Sequence, residues 1–119
     1  MMSLPHPSVD QIGLANVLAA LGDQTRLAIV GYLACNEGIA INCGRFLDLG
    51  SKTNISYHLA KLREAGITRT EIRGTSRLIS LRRADLDSLF PGLLDSIVAS
   101  AIKLPFNLKE TESVEAANS

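Results

Sequence analysis

Six polar side chains crowd into one short stretch: Lys52, Thr53, Asn54, Ser56, Tyr57 and Lys61. Thr53, Asn54, Ser56 and Tyr57 carry hydrogen-bonding groups suited to reaching base edges in a DNA groove. Lys52 and Lys61 bring the positive charge that meets phosphate. Further along, Arg73 and Arg77 flank the tripeptide Gly74-Thr75-Ser76, and Arg69 and Arg73 alternate along one extended run. The bland alternative for the first cluster is a solvated helix face.

Positioning these residues takes a helix and a hairpin. Ser51 is a good N-cap, and Ile55, Leu59 and Leu62 follow at i, i+4 and i+7, one face of a helix turned to a core. The opposite face then carries Thr53, Asn54, Tyr57 and Lys61, with Ser56 at its edge. Gly66 stops the helix, because glycine tolerates a left-handed backbone. Thr68 to Arg73 and Arg77 to Leu81 are rich in β-branched residues and read as two strands. Gly74, Thr75 and Ser76 between them read as a hairpin turn of the longer, glycine-containing kind. A helix followed by an arginine-tipped hairpin is a winged helix-turn-helix arrangement. The expected fold class is mainly α with a small β-hairpin wing and helical dimerisation elements at both ends.

The 119 residues fit one domain with one modest core. No apolar run is long enough to span a bilayer, so no membrane role is expected. The opening MMSLPHPSVDQ lacks the charged-then-apolar pattern of a secretory signal. With two cysteines, Cys35 and Cys43, this points to a reducing, cytoplasmic setting without an obligatory disulfide. Net charge is zero, but its distribution is uneven. Between Ser51 and Arg83 stand Lys52, Lys61, Arg63, Arg69, Arg73, Arg77, Arg82 and Arg83 against only Glu64 and Glu71. A local excess of positive charge on a neutral chain is a usable footprint for nucleic acid.

In chain order, residues 1–8 contain Pro5 and Pro7 and read as a flexible arm. From Val9, the positions Ile12, Ala15, Val17, Leu18, Ala19 and Leu21 suggest a helix apolar on more than one side, with a partner subunit as the simplest cover. Asp23 caps a second helix through Leu27, Ile29, Val30 and Leu33, ending near Asn36 to Gly38. Ile39 to Ile41 is a short connector with room to be extended. Cys43 to Leu49 is a third, short helix, with Phe46, Leu47 and Leu49 supplying apolar contacts. After the hairpin, Arg82 to Phe90 is helical and Pro91 forces a break. Leu93, Leu94, Ile97, Val98, Ala101 and Ile102 then form a wide apolar stripe that calls for a partner surface or an intrachain core. Pro105 stops that helix, and residues 104–119 read as a disordered tail. The winged DNA-binding and dimerisation domain therefore spans residues 9–103.

LGDQTRLAIVGYL (Leu21 to Leu33), ISYHLAKLREAGI (Ile55 to Ile67) and RGTSRLISL (Arg73 to Leu81) together resemble the ArsR/SmtB family of bacterial transcriptional repressors. The similarity covers roughly residues 10 to 103, and the L-x-D-x-T-R-L-x-I opening with S-x-H-L-x-x-L-R-E-A-G is typical of the family. The resemblance implies an elongated homodimer built from first and last helices, two recognition helices on double-stranded operator DNA, and release by a small effector. It also implies that Thr53, Asn54, Ser56, Tyr57 and His58 occupy the groove-facing stretch, with Arg73 and Arg77 at the wing. Helix geometry places His58 nearer the core edge, as a packing or backbone-bonding histidine.

Many members of that family sense metals, and here the sequence departs from them. One metal-site pattern uses Cys-x-Cys in the third helix, where AINCGRFLDLG has a single cysteine. A second uses Asp and His on the final helix, which here has Asp85, Asp87 and Asp95 but no histidine. A single thiolate does not complete a tetrahedral site. No metal or other cofactor is expected. Cys35 and Cys43 are left either as a redox or electrophile switch or as inert small apolar side chains. No nucleophile-base pair, phosphate loop or paired carboxylate site is recognisable, so an enzyme is not expected. The competing class is a winged-helix module that binds protein, which would carry an apolar patch where this chain is basic.

Overall fold

Local capping chemistry starts the two helices at the centre of the fold. The Asp23 carboxylate accepts from the Arg26 backbone N–H at 3.0 Å, and the Ser51 hydroxyl accepts from the Asn54 backbone N–H at 3.1 Å. Each satisfies a donor that a helix N-terminus leaves without a partner. The computed structural model describes residues 4–103. Five helices are α1 (Leu14–Leu21), α2 (Gln24–Cys35), α3 (Lys52–Glu64), α4 (Arg83–Leu89) and α5 (Leu93–Ala101). Three strands are β1 (Ile41–Asn42), β2 (Thr68–Arg73) and β3 (Ser76–Leu81). They form one antiparallel sheet in the order β1-β3-β2. Among the described residues, no helix is long and apolar enough to cross a membrane.

The core lies where α1, α2 and α3 meet the base of the sheet. Val17, Ile29, Val30, Phe46, Leu62, Ile67 and Ile79 are all fully buried. Each such side chain contributes about 1.5–3 kcal/mol relative to exposure. Ile55, Leu59 and Leu62 are buried as their spacing requires. The Tyr32 ring meets Phe46 edge-on at 5.8 Å and lies beneath the Arg45 guanidinium, which packs the short segment Cys43–Leu49 against α2.

The structure corrects several sequence expectations. The apolar run from Val9 is not one helix: Val9–Gln11 forms a single 3₁₀ turn, and α1 starts only after Gly13. Cys43–Leu49 is the expected short helix, of the 3₁₀ kind, but Leu47 points outward, 48 % exposed. The connector before it contributes β1, which pairs Ile41 with Ile79. The hairpin turn is shorter than expected. Arg73 pairs with Ser76, leaving only Gly74 and Thr75 as the loop. Gly74 has φ +61°, the backbone that a two-residue hairpin turn demands of its first central residue.

The sequence reads the N-terminal arm as loose, yet its described part is tied down at three points. Arg63 Nε donates to the Pro5 carbonyl at 3.2 Å, and Arg82 Nη1 to the Pro7 carbonyl at 2.7 Å. The Thr70 backbone N–H donates to His6 Nε2 at 3.0 Å. Thr70 lies on β2, the outer strand of the wing, so the arm covers part of an otherwise open edge. The expected stop at Pro105 and the expected disordered tail of residues 104–119 lie outside the described residues.

Candidate nucleic-acid interface

Burying Ile55, His58, Leu59 and Leu62 turns the other side of α3 outward. Lys52, Thr53, Asn54, Ser56, Tyr57 and Lys61 are all exposed, so the structure brings together the six side chains that the sequence singled out on this helix. Lys61 Nζ sits 5.4 Å from the centroid of the Tyr57 ring, one turn away. This cation–π contact braces the ammonium against the helix surface. Asn54 lies close over Gly50, where an added Cβ would come within 2.9 Å of Asn54 Nδ2. A larger residue at position 50 would push on this exposed side chain.

His58 faces the opposite way and is 7 % exposed. Its Nδ1 lies 2.9 Å from Arg26 Nη1 and 3.8 Å from the Asp23 carboxylate. A guanidinium only donates, so Nδ1 is the acceptor and the ring proton sits on Nε2. Arg26 also donates from Nε to the Ala20 carbonyl. One side chain thus links the end of α1, the start of α2 and the middle of α3. Sequence reasoning did not pick out Arg26 as a site residue. It stood in the quoted TRL segment, but its partners become visible only once three helices are placed.

The wing presents Arg73 and Arg77 on either side of its tip, both exposed. Arg73 pairs with Glu71 on its own strand at 3.2 Å, a solvent-exposed contact of small energetic weight. The positive count from the sequence overstates what faces outward. Arg82 is buried, bonded to Asp85 and to the Pro7 carbonyl. Arg83 bonds to Glu37 at 2.6 Å and also to Asp95, clamping the end of α2 to α4 and α5. Its hydrogen bond to Glu37 is the main cause of a pKa held above the ordinary guanidinium value. Arg63 is spent on the arm. The outward basic set is therefore Lys52, Lys61, Arg69, Arg73 and Arg77, with Arg69 3.8 Å from Asp85.

Cys35 and Cys43 are free thiols, the first exposed and the second half-buried. Among the described residues, no three His, Cys, Asp or Glu side chains gather as a metal-ligand group.

A family model described as a helix-turn-helix domain matches residues 21–71, which run from the end of α1 into β2, the first strand of the wing. The uncharacterized HTH-type transcriptional regulator YceK of Bacillus subtilis (strain 168) is 38 % identical over 95 residues, covering 76 % of this chain and 90 % of the relative. Two solved structures share the fold. A crystal structure of an ArsR family transcriptional regulator superposes with a TM-score of 0.57 at 19 % identity, covering 77 % of this chain and 92 % of that one. Reduced HlyU from Vibrio cholerae N16961 gives 0.51 at 22 % identity, covering 65 % and 87 %. With the capped α3, the wing and these relatives in view, the chain belongs to the helix-turn-helix transcriptional regulators and has the winged fold that ArsR family members share.

Proposed function

We propose that this regulator is a homodimeric repressor that inserts α3 into the major groove of an operator and is released from it by an effector. The observation that carries this reading is the two-sidedness of α3. Apolar residues at 55, 59 and 62 are buried, and six polar or cationic residues are exposed on the same helix. Thr53, Asn54, Ser56 and Tyr57 are assigned to base edges, and Lys52 and Lys61 to phosphate. Arg73 and Arg77 are assigned to backbone contact from the wing.

Two features support a second copy of the chain. Leu14 and Leu18 stand four residues apart on the outer face of α1, each nearly half exposed, and Ile102 follows α5 at 55 % exposure. Val17 and Leu21 of α1 and Leu94 and Ile97 of α5 line one small apolar cavity, which brings the two helices near each other. A two-fold dimer built there would demand a palindromic operator, with half-sites about 34 Å apart or a multiple of that.

For the release step, the proposed trigger is either a small organic effector held between subunits or oxidation of Cys35 and Cys43. The exposure of Cys35 is what favours the thiol reading. The test is fluorescence anisotropy on the DNA upstream of this protein's own gene, with reduced and mildly oxidised protein side by side. Tight binding by reduced protein, lost on oxidation, supports a thiol-switched repressor. Tight binding in both states keeps the repressor and discards the thiol switch. Absence of binding to that DNA and to random duplex at low salt overturns the DNA-binding assignment of α3.

A further inference from the structure

A groove of about 410 Å³ opens where α1, the start of α2 and the outer face of α3 converge. Its polar lining is Asn16 from α1, Arg26 from α2, and Tyr57, Lys61 and Glu64 from α3. Arg26 arrives there already fixed. Nε is bonded to the Ala20 carbonyl and Nη1 to His58, while Nη2 has no partner among the described residues. A guanidinium held by two of its nitrogens offers its remaining edge with little further loss of side-chain freedom. Lys61 is braced against the Tyr57 ring, and the Asn16 amide and Tyr57 hydroxyl add neutral donors. One carboxylate, Glu64, stands against the two cations, nearly a turn beyond Lys61 toward the end of α3. Two cations and two neutral donors around one space match a group with several anionic oxygens.

We infer that this groove is an anion seat that takes a phosphate group. The inference rests on the DNA-binding reading for its main source. Tyr57 and Lys61 line the groove and also belong to the outward face of α3, so a backbone phosphate of a duplex lying on α3 would enter it. Free inorganic phosphate offers the same chemistry. Arg26, fixed by the fold, would then be a phosphate-contacting residue outside both the recognition helix and the wing.

Arg26→Ala would also release the Ala20 carbonyl and His58, so the test changes the charge at Asn16 instead. Asn16 is exposed on α1, and Asn16→Asp puts a carboxylate into the groove wall without touching α3 or the wing. Ser88→Asp, exposed on α4 and away from the groove, adds the same charge as a control, and thermal melts check that both variants fold. With DNA as the source, Asn16→Asp lowers affinity for operator and random duplex alike by roughly tenfold and reduces the salt slope by about one unit. Ser88→Asp has a smaller effect on both. A separate arm without DNA titrates inorganic phosphate into isotope-labelled protein and follows the Arg26 Nε–H and Tyr57 backbone amide signals, both kept in the variant, with chloride at equal ionic strength as reference. A saturable phosphate shift in wild type that Asn16→Asp abolishes, with DNA binding untouched by the variant, supports the seat with the free ion as its source. No saturable shift, together with a neutral Asn16→Asp on DNA, overturns the seat. If the wild type binds no duplex, the DNA-binding reading has failed on its own and the phosphate titration alone decides the seat.

Discussion

Arg26 Nη1 and His58 Nδ1 lie 2.9 Å apart, joining the first turn of α2 to the middle of α3. Because His58 is buried, its replacement strands a guanidinium nitrogen at a helix junction. His58→Leu is expected to lower unfolding stability by about 1–2 kcal/mol, while His58→Gln, which keeps an acceptor, recovers part of the loss. Urea titrations followed by circular dichroism measure both. Equal stability of wild type and His58→Leu would mean that the contact does not hold the two helices together.

Gly66 ends α3 with φ +87°, and an added Cβ would come within 2.5 Å of Ile12 Cγ1. Two separate costs follow for Gly66→Ala, the left-handed backbone and the clash. Together they are expected to destabilise the chain by about 2–4 kcal/mol. Only the clash depends on Ile12. The double variant Ile12→Ala/Gly66→Ala should therefore be more stable than the sum of the two single losses predicts. Strict additivity in that cycle would place the whole cost in the backbone.

These two relationships also mark the limit of what local patterns reveal. Ser51, Asp23, Gly66 and the spacing of Ile55, Leu59 and Leu62 act over one or two helical turns, so periodicity and capping rules found them. The exposed set on α3 follows from the same periodicity. What escaped depends on residues far apart in the chain. Arg82 and Arg83 counted as surface charge until Asp85, Glu37, Asp95 and the Pro7 carbonyl were placed around them. β1 holds only two residues and gains its identity from pairing with β3. The arm took its place through Thr70 and Arg63, neither of which its own sequence announces. Gly13 divided an apolar run that pattern alone read as continuous.

The arm carries a titratable latch. His6 Nε2 accepts the Thr70 backbone N–H, which requires a neutral ring. Burial first, and then the positive charges of Arg69, Arg63 and Arg82, hold the His6 pKa below its ordinary value of 6.5. The folded state therefore binds the proton more weakly than the unfolded chain does. The latch contributes fully above the unfolded value and is lost as pH falls below about 6.5 toward the folded one. His6→Ala should lower the urea midpoint at about pH 8, and the gap to wild type should shrink at about pH 5. Comparing the variant with wild type at the same pH isolates the contribution of His6. A gap of equal size at both pH values would show that the His6 contact does not depend on its proton.

Arg77 and Asn54 are assigned opposite duties on DNA, and their variants should separate. Arg77 is exposed at the wing and, among the described residues, forms no ion pair. As a backbone contact it carries no sequence information. Arg77→Ala should weaken binding to operator and random duplex alike and lower the salt slope by about one unit. Asn54 sits in the first turn of α3, where side chains reach base edges, and its amide both donates and accepts. Asn54→Ala should cost on the order of 1–3 kcal/mol at the operator and little on random DNA. Anisotropy across a salt series on both duplexes measures the two together. Equal losses on both DNAs for Asn54→Ala would move it from reading to positioning. An unchanged salt slope for Arg77→Ala would take the wing tip out of the contact set and leave the phosphate contacts to α3 and the groove beside it.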